Sequence, residues 1–168
     1  MALTIRSIAP ADIPQMFRIS VRAHQDAYSE FIPVERRDDF DHRYTVNQRN
    51  EKIYTEMIIA RMQNPRWLFW IAEVDGVVAG YTLAFVKSRK RLLKKGMFVL
   101  PEYQGNGVGS QLFRISLTGI ESGNIELTVV EKNIRARHIY EKNGFIIIGK
   151  DPVLFFGAQR VLMRLTKH

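Results

Sequence analysis

The sequence predicts a mixed α/β fold in which a mostly antiparallel sheet is flanked by about four helices. Short apolar runs rich in β-branched and aromatic residues alternate with longer segments of helical periodicity. Asp75-Gly76 lies between two such runs and indicates a β-hairpin. A glycine-rich turn at 104–109 follows another apolar run and precedes a helical pattern. At 168 residues, the chain is expected to form one domain, 1–168.

The first part of the chain is predicted to form one strand and two helices. Residues 3–8 alternate between apolar and polar side chains, as a half-buried strand does. The segment after Pro10 carries one helical face, made of Ile13, Phe17, Ser20, Val21, His24 and Tyr28. A longer helix is expected from about residue 36 to Asn64-Pro65, with a buried stripe of Ile53, Met57 and Ala60.

The second part is predicted to complete the sheet and add two helices. Strands are expected at 67–74, 77–86, 96–100, 124–130, 145–150 and 160–165. A helix over about 107–122 follows from the helical spacing of Val108, Leu112, Ile115 and Gly119. Asn133 is suited to cap a further helix that Gly144 ends. The resulting order is βααβββαβαββ.

The composition limits the function classes. Apolar residues make up 46% of the chain, as in globular proteins, and no run of about 18 apolar residues indicates a membrane span. The first residues lack the layout of a signal peptide. The absence of cysteine excludes disulfides, thiolate metal ligands and a cysteine nucleophile, and it fits a cytoplasmic protein without a metal. The net charge of +8 either favours anionic ligands or serves solubility.

Gly105, Gly107 and Gly109 mark a turn that exposes backbone amides. Such a turn before a helix suits a phosphate, because it presents N–H groups and the positive end of the helix dipole. A tight turn without a ligand is the alternative. A P-loop is excluded because Gly109 is followed by Ser110 and Gln111. A dinucleotide fingerprint is excluded because the glycine spacing differs and three antiparallel-looking strands precede the turn.

Two motifs together resemble the GNAT superfamily of N-acetyltransferases. Residues 104–109, Gln-Gly-Asn-Gly-Val-Gly, match the family's Q/R-x-x-G-x-G/A loop. The family's later block is resembled by residues 133–145, with matches at Asn133, Ala136, Tyr140, Gly144 and Phe145. The predicted element order agrees, so the resemblance covers nearly the whole chain. It implies a GNAT-like fold and direct transfer of an acetyl group from acetyl-CoA to an amine in a ternary complex.

The resemblance also implies where the co-substrate binds. The loop's amides hold the pyrophosphate, and the strand before the loop pairs with the pantetheine arm, with Val99 polarising the thioester carbonyl. The implied contacts are Met97, Phe98, Val99, Gln104, Gly105, Asn106, Gly107, Val108, Gly109, Ser110, Asn133, Ala136 and Tyr140.

Tyr140 and Asn133 are the predicted catalytic residues. Their spacing of seven puts them on one helical face with Ala136 between them. By the resemblance, Tyr140 is the general acid toward the CoA thiolate, and an ordinary core tyrosine is the alternative. A thiol has a pKa of about 8.5 and tyrosine about 10, so full proton transfer is uphill by roughly 2 kcal/mol. A proton shared in the transition state serves as well.

The general base is left open by the sequence. An alkyl ammonium with a pKa of about 10.4 must lose a proton before it attacks. Several relatives use a glutamate near the start of the strand before the loop, where this chain has Leu93-Lys94-Lys95. A water chain to bulk solvent is the preferred route, and the alternatives are Glu126, Glu73, His24 and Tyr28.

The basic run 87–95 is expected to form a hairpin loop and the start of a strand. The role of this basic run has three possible interpretations: a solvated loop, attraction of an acidic substrate or the co-substrate's phosphates, and nucleic-acid contact through Lys90 and Arg91. The acidic segment 36–41 is a candidate pocket for a cationic acceptor.

Two other functions compete with the transferase. One is an acetyl-CoA-binding sensor or interaction module without turnover, and the other, with less support, is a basic nucleic-acid-binding domain. No membrane partner is expected. The acceptor stays open among a small amine, a polyamine, an antibiotic, a lysine and a protein N-terminus, and the chain is either a monomer or a homodimer.

Overall fold

The computed structural model describes residues 2–168 and confirms the mixed α/β class. The strands are β1 (Leu3–Ser7), β2 (Trp67–Val74), β3 (Val77–Ser88), β4 (Arg91–Val99), β5 (Gly123–Val130), β6 (Ile146–Phe155) and β7 (Ala158–Lys167). The helices are α1 (Ile13–Tyr28), α2 (Arg37–Arg43), α3 (Gln48–Met62), α4 (Val108–Ser116) and α5 (Ile134–Lys142). The strands form one sheet in the order β1-β2-β3-β4-β5-β7-β6. Only the β4–β5 pair is parallel. No helix within residues 2–168 has the length and apolarity to cross a bilayer.

The second predicted helix is divided into α2 and α3, and of its predicted buried stripe only Met57 packs against the core. Asn47 begins α3 anew as a side-chain cap, since its side chain accepts from the N–H of Asn50. Ile53 is 39% exposed and Ala60 is exposed as well, whereas Ile58 is buried and Met57 is half-buried. The core face of α3 therefore lies about one residue further along than predicted.

Several strands are longer than the sequence pattern indicated. β3 continues to Ser88 and β4 already begins at Arg91, so most of the basic run 87–95 lies in strands rather than in a loop. β6 and β7 form a long hairpin through Phe156-Gly157, and both turn residues have positive φ. Helix α4 ends at Ser116, several residues earlier than expected. The Asp75-Gly76 hairpin is confirmed, with φ of 50° and 81°.

The sheet carries a separate apolar core on each face. On one face, α1 and α3 cover β2, β3 and β4, with Ile13, Met16, Ile19, Ile58, Ile71, Tyr81 and Leu83 buried. On the other face, α4 covers the sheet with Val108, Leu112 and Phe113. The predicted inner face of α1 is confirmed, because its apolar positions enter the first core or line the cavities next to it.

A β-bulge at Lys95 reverses the side-chain alternation of β4. The register against β3 shifts between Lys94 and Gly96, which leaves Lys95 as the extra residue. Lys94 and Met97 consequently both contact the core on the α4 face, although an unbroken strand would send them to opposite faces. Phe98 then points to the α1 face, where it packs on Tyr81.

β4 and β5 separate after a short parallel contact. They pair only over Arg91↔Asn124, Leu92↔Ile125 and Leu93↔Glu126. Beyond this contact, β4 continues along β3 to Val99, and β5 continues along β7 to Val130. The edge of β4 that follows Leu93 therefore has no strand beside it, and a wedge opens in the middle of the sheet.

Candidate active site

Three adjoining cavities follow the wedge between β4 and β5. We name them the amide cleft, the strand-gap cavity and the aromatic cavity, with volumes of about 780, 340 and 260 Å³ respectively. The amide cleft and the strand-gap cavity share the wall residues Tyr28, Met97 and Tyr140. The strand-gap cavity and the aromatic cavity share His24, Lys95 and Phe98. The cavities thus run in series from the α4 face, through the sheet, to the α1 face.

The glycine loop forms one wall of the amide cleft. Gly105 and Gly107 adopt left-handed conformations, with φ of 80° and 82°, which bring the loop directly into α4. The first amide bonded back to the loop is Gln111 N–H, which donates to Gly107 O at 3.0 Å. The amides of residues 108–110 precede this bond, so they are the unpaired donors that every helix N-terminus carries. Gly109 and Ser110 line the cleft, so their amides are placed to bind an anion there.

The surroundings of Gly109 favour a ligand-binding loop over a tight turn without a ligand. Its φ is not positive, and a Cβ built there would meet only Val99 Cγ2, at 3.9 Å. Neither conformation nor internal packing therefore requires glycine, although glycine costs about 1 kcal/mol relative to alanine within a helix. Gly109 lines the amide cleft, so its missing side chain leaves room for a ligand. The loop fits the pyrophosphate of a coenzyme A thioester on this ground.

Cationic side chains lie around the amide cleft. Arg114, Lys132 and Arg135 line it, against the carboxylates of Asp26 and Glu30. The cations surround the exposed amides with positive charge, which suits a phosphorylated ligand.

The Gln104 side chain ties the glycine loop to the neighbouring elements. Its Nε2 donates to Val99 O at 3.2 Å, and its Oε1 accepts from Arg135 Nη2 at 3.1 Å. These contacts hold the loop between β4 and α5, and they orient one of the cations of the cleft.

Tyr140 stands where the amide cleft meets the strand-gap cavity. Its ring packs against Phe113 and Phe145, with centroid distances of 6.0 and 5.8 Å. Burial raises the pKa of Tyr140, so its hydroxyl is protonated at neutral pH. The hydroxyl forms no hydrogen bond with any group of residues 2–168, which leaves it free to donate to a molecule in the cavities.

Asn133 holds the start of α5. Its Oδ1 accepts the N–H of Ala136 at 3.0 Å, which confirms the predicted cap. Asn133, Ala136 and Tyr140 all line the amide cleft, so the predicted common helical face is present. Gly144, with φ of 85°, follows the end of the helix as expected.

Most of the predicted co-substrate contacts line the amide cleft, and three do not. Those in the cleft are Met97, Val99, Gln104, Gly105, Gly107, Gly109, Ser110, Asn133, Ala136 and Tyr140. Phe98 faces the strand-gap and aromatic cavities because of the bulge at Lys95. Val108 is fully buried under α4, and the Asn106 side chain is exposed outside the cavity wall. Arg114 and Arg135 also line the cleft, but they were not predicted from the sequence. Helical spacing could have indicated Arg114, because it lies four residues after Ser110 on the same face of α4.

Lys94 is a buried cation in the strand-gap cavity that no sequence pattern indicated. The residue is 6% exposed, and its Nζ donates to Thr82 Oγ1 at 3.1 Å. No carboxylate of the described chain pairs with it, and its Nζ lies 5.8 Å from the centroid of the Phe113 ring. Burial lowers the pKa of Lys94 to about 7.

The two glutamates considered as general bases are both engaged in ion pairs. Glu126 accepts from Arg91 at 2.6 Å and from Arg164 at 2.8 Å. Burial by itself would raise the pKa of Glu126, but the hydrogen bonds and charges of these arginines lower it overall. Glu73 pairs with Arg6 at the outer edge of the sheet and lines none of the three cavities.

His24 and Tyr28 line the cavities but are poorly suited to accept a proton from an ammonium. His24 lies between the rings of Tyr44 and Phe98, at centroid distances of 4.1 and 4.8 Å, and its Nδ1 donates to Ser20 O at 2.7 Å. Burial lowers the pKa of His24 to about 4. Burial raises the pKa of Tyr28, which keeps its hydroxyl protonated.

The acidic segment 36–41 does not supply a pocket for a cationic acceptor. Asp39 pairs with Arg36 at 3.0 Å on the surface, and no aspartate of this segment lines any of the three cavities. Among residues 2–168, no group of His, Asp or Glu is arranged to hold a metal ion.

Comparisons with known proteins agree with this geometry. Residues 65–147 match the family described as "Acetyltransferase (GNAT) domain". An uncharacterized N-acetyltransferase of Archaeoglobus fulgidus is 30% identical over 131 residues, which cover 71% of this chain and 86% of that protein. A probable N-acetyltransferase of Mycobacterium tuberculosis is 33% identical over 86 residues, and the chain spans about half of its length (49%).

The fold also matches solved structures along the whole chain. The PaiA N-acetyltransferase of Thermoplasma acidophilum, solved in complex with coenzyme A, superimposes with a TM-score of 0.77 at 19% identity, with 100% of both chains covered. The acetyltransferase YncA of Salmonella typhimurium, solved with acetyl-CoA, gives 0.71 at 19% identity, with 99% of this chain and 94% of that chain covered. The chain belongs to the GNAT superfamily of N-acetyltransferases, a family of acyltransferases.

Proposed function

We propose that this protein transfers an acetyl group from acetyl-CoA directly to an amine, with both substrates bound together. One observation carries the proposal: Gly109 and Ser110, whose amides are unpaired, line the same cleft as Tyr140 with its free hydroxyl, and this cleft leads into the wedge between β4 and β5. A pyrophosphate on the amides leaves the pantetheine arm to run along the unpaired edge of β4, toward Tyr140. Val99 and Met97 line this route.

The acceptor reaches the thioester from the opposite face of the sheet. The amine nitrogen forms a C–N bond with the thioester carbon, and the C–S bond then breaks. Tyr140 donates its proton to the departing sulfur and later recovers one from solvent. Backbone N–H groups of β4, with Val99 as the candidate, stabilise the negative charge that develops on the carbonyl oxygen. An acceptor that starts as an ammonium loses two protons, one before the attack and one after it, and the recovery by Tyr140 consumes one, so the net products are an amide, a free thiol and one H⁺.

A water route supplies the neutral amine in this scheme. Glu126 and Glu73 are held by arginines, and the pKa of His24 is far below that of an ammonium. Deprotonation of the amine in bulk water costs about 4.6 kcal/mol at pH 7, which lies within what a catalysed step of this class supplies. Asn133 acts by positioning Tyr140 through the start of α5.

A turnover assay over a broad amine panel tests the proposal, with release of free thiol from acetyl-CoA as the readout. Tyr140→Phe is expected to lower kcat by about 10²–10⁴-fold, the usual contribution of a general acid, with the Kd of CoA unchanged. Tyr103→Phe is the matched control because Tyr103 lines none of the cavities. CoA binding without turnover of any amine would instead indicate a sensor or interaction module.

A further inference from the structure

We propose that the aromatic cavity binds an acceptor amine that also carries an anionic group, either a carboxylate or a phosphate. The inference rests on the proposed transferase function and names the class of acceptor. The aromatic cavity lies beyond the strand-gap cavity, at the end of the series furthest from the glycine loop. A molecule bound there approaches the wedge from the α1 face, opposite the side from which a bound CoA would enter.

The charged groups that line the aromatic cavity are all cationic. Arg43, Arg61 and Lys95 belong to its wall, and no aspartate or glutamate does. His24, with its low pKa, is neutral above pH 5 and adds no negative charge. The cavity is therefore electropositive, which attracts an anion and repels a polyamine or any other purely cationic acceptor.

These three cations have no carboxylate partner within the described chain. The ion pairs of residues 2–168 involve other arginines and lysines. Arg61, which is half-buried, lies over the Trp67 ring at 4.4 Å from the centroid. Burial lowers its pKa, and burial together with the charges of Arg61 and Arg160 lowers that of Lys95. A ligand anion would supply the missing counter-charge, and the planar guanidinium suits both carboxylate and phosphate.

The neighbouring strand-gap cavity differs from the aromatic cavity in having carboxylates in its wall, beside the cations Lys94, Lys95 and Arg160. Glu126 and Asp151 line the strand-gap cavity, although each of them is paired with an arginine. An acceptor whose anion binds at Arg61 in the aromatic cavity places its amine on the side of the strand-gap cavity, which leads to the wedge and Tyr140. This is the direction that attack on the thioester requires.

The size and walls of the cavity favour a small acceptor. Its volume of about 260 Å³ lies just below the range of about 300–1,000 Å³ that is usual for drug-sized ligands. Flat rings and apolar side chains make up much of the wall, including Phe17, Tyr44, Tyr54 and Phe98. An amino acid with an apolar or aromatic side chain matches this combination of apolar surface and cationic charge.

Pairs of acceptors that differ only in the anion test the inference. The probes are L-phenylalanine against L-phenylalaninamide, O-phosphoethanolamine against ethanolamine, and putrescine as the cationic case. An amino acid amide has the less basic amine, so without anion recognition it would be the better acceptor. We expect at least one anionic acceptor to exceed its neutral partner in kcat/KM by about tenfold or more, and the preferred pair identifies the anion as carboxylate or phosphate.

Arg61→Gln is expected to lower kcat/KM for the anionic acceptor by roughly 10- to 100-fold and to leave the neutral one little changed. Arg43→Gln, at an exposed position, gives the same test with less risk to folding. Arg66→Gln is the matched control, since Arg66 also lies over a ring, that of Phe85 at 4.7 Å, but lines no cavity.

Equal or better turnover of neutral or cationic amines would overturn the inference and leave the transferase function intact. If no amine is turned over, the proposed function fails, and binding then decides the inference. In that case the anionic probes should raise the Tm of the CoA-loaded wild-type protein and not that of Arg61→Gln. Absence of this difference would refute anion binding in the aromatic cavity.

Discussion

Lys94 Nζ lies 3.1 Å from Thr82 Oγ1, inside the sheet and without a carboxylate partner in the described chain. Thr82 Oγ1 in turn donates to Gly96 O at 2.8 Å, so the threonine hydroxyl accepts one hydrogen bond from the lysine and donates another to the backbone. A single neutral acceptor does not compensate a buried ammonium, which is why the pKa of Lys94 falls to about 7.

Lys94→Met is expected to stabilise the protein at pH 7 by about 1–3 kcal/mol, because it removes a buried charge and keeps Thr82 bonded to Gly96. The gain should appear as a rise in Tm of roughly 2–4 °C per kcal/mol. Lys90→Met is the control, since Lys90 is exposed. A fall in Tm for Lys94→Met alone would contradict this account.

Lys94 also makes stability depend on pH. Between pH 7 and about 10.4, the unfolded chain binds a proton at this lysine while the folded chain does not, so stability rises with pH in that window. The full slope is about 1.4 kcal/mol per pH unit. Urea titrations from pH 7 to 9 should show this rise in the wild type and a flatter profile in Lys94→Met.

His24 is expected to limit stability in acid. Its pKa is about 4 in the folded chain and about 6.5 when unfolded, so the unfolded state binds more protons between these values and stability falls as pH drops from 6.5 to 4. His24→Phe keeps a ring between Tyr44 and Phe98 and should reduce this acid loss by roughly 2 kcal/mol. Chemical denaturation at pH 7, 5.5 and 4.5 measures it, with the exposed His42→Phe as control.

Gly109→Val is expected to weaken CoA binding and to preserve the fold. The valine side chain would enter the amide cleft, where the protein itself leaves space. Calorimetry should show the Kd for CoA rising by about tenfold or more, with Tm within a few degrees of wild type. Gln111→Val is the control, because Gln111 lies two residues after Gly109 in α4 but outside the cleft. Unchanged affinity would mean that CoA does not occupy the space beside Gly109.

Glu126→Gln separates a structural role from a catalytic one. The glutamate is 3% exposed and holds Arg91 and Arg164, so its neutralisation should destabilise the protein by about 1–3 kcal/mol. We expect kcat to stay within a fewfold of wild type, because an ion-paired carboxylate is a poor proton acceptor. Glu141→Gln, in an exposed pair, should cost less than about 0.5 kcal/mol. A large loss of kcat with unchanged Tm would restore Glu126 as the base.

Local patterns predicted the parts of the molecule that depend on local physics. The Asp75-Gly76 turn, the Asn133 cap and the glycine loop each follow from the conformational needs of a few adjacent residues. The inner face of α1 followed from helical spacing alone. These features needed no knowledge of distant contacts.

The remaining features depend on contacts between distant segments. The bulge at Lys95 arises from the register of β4 against β3, and nothing in the run of lysines marks it. For the same reason the burial of Lys94 was not predicted. The cationic aromatic cavity joins Arg43, Arg61 and Lys95, which lie on three separate elements or loops.

The short contact between β4 and β5 has a mechanical consequence. The N-terminal and C-terminal parts of the sheet are paired only where Arg91, Leu92 and Leu93 of β4 lie beside β5. A molecule bound in the wedge would contact both parts of the sheet and stabilise their relative arrangement. We expect a molecule bound in the wedge to slow amide hydrogen exchange along both β4 and β5, including positions far from the ligand. The Tm should then rise with the concentration of the co-substrate.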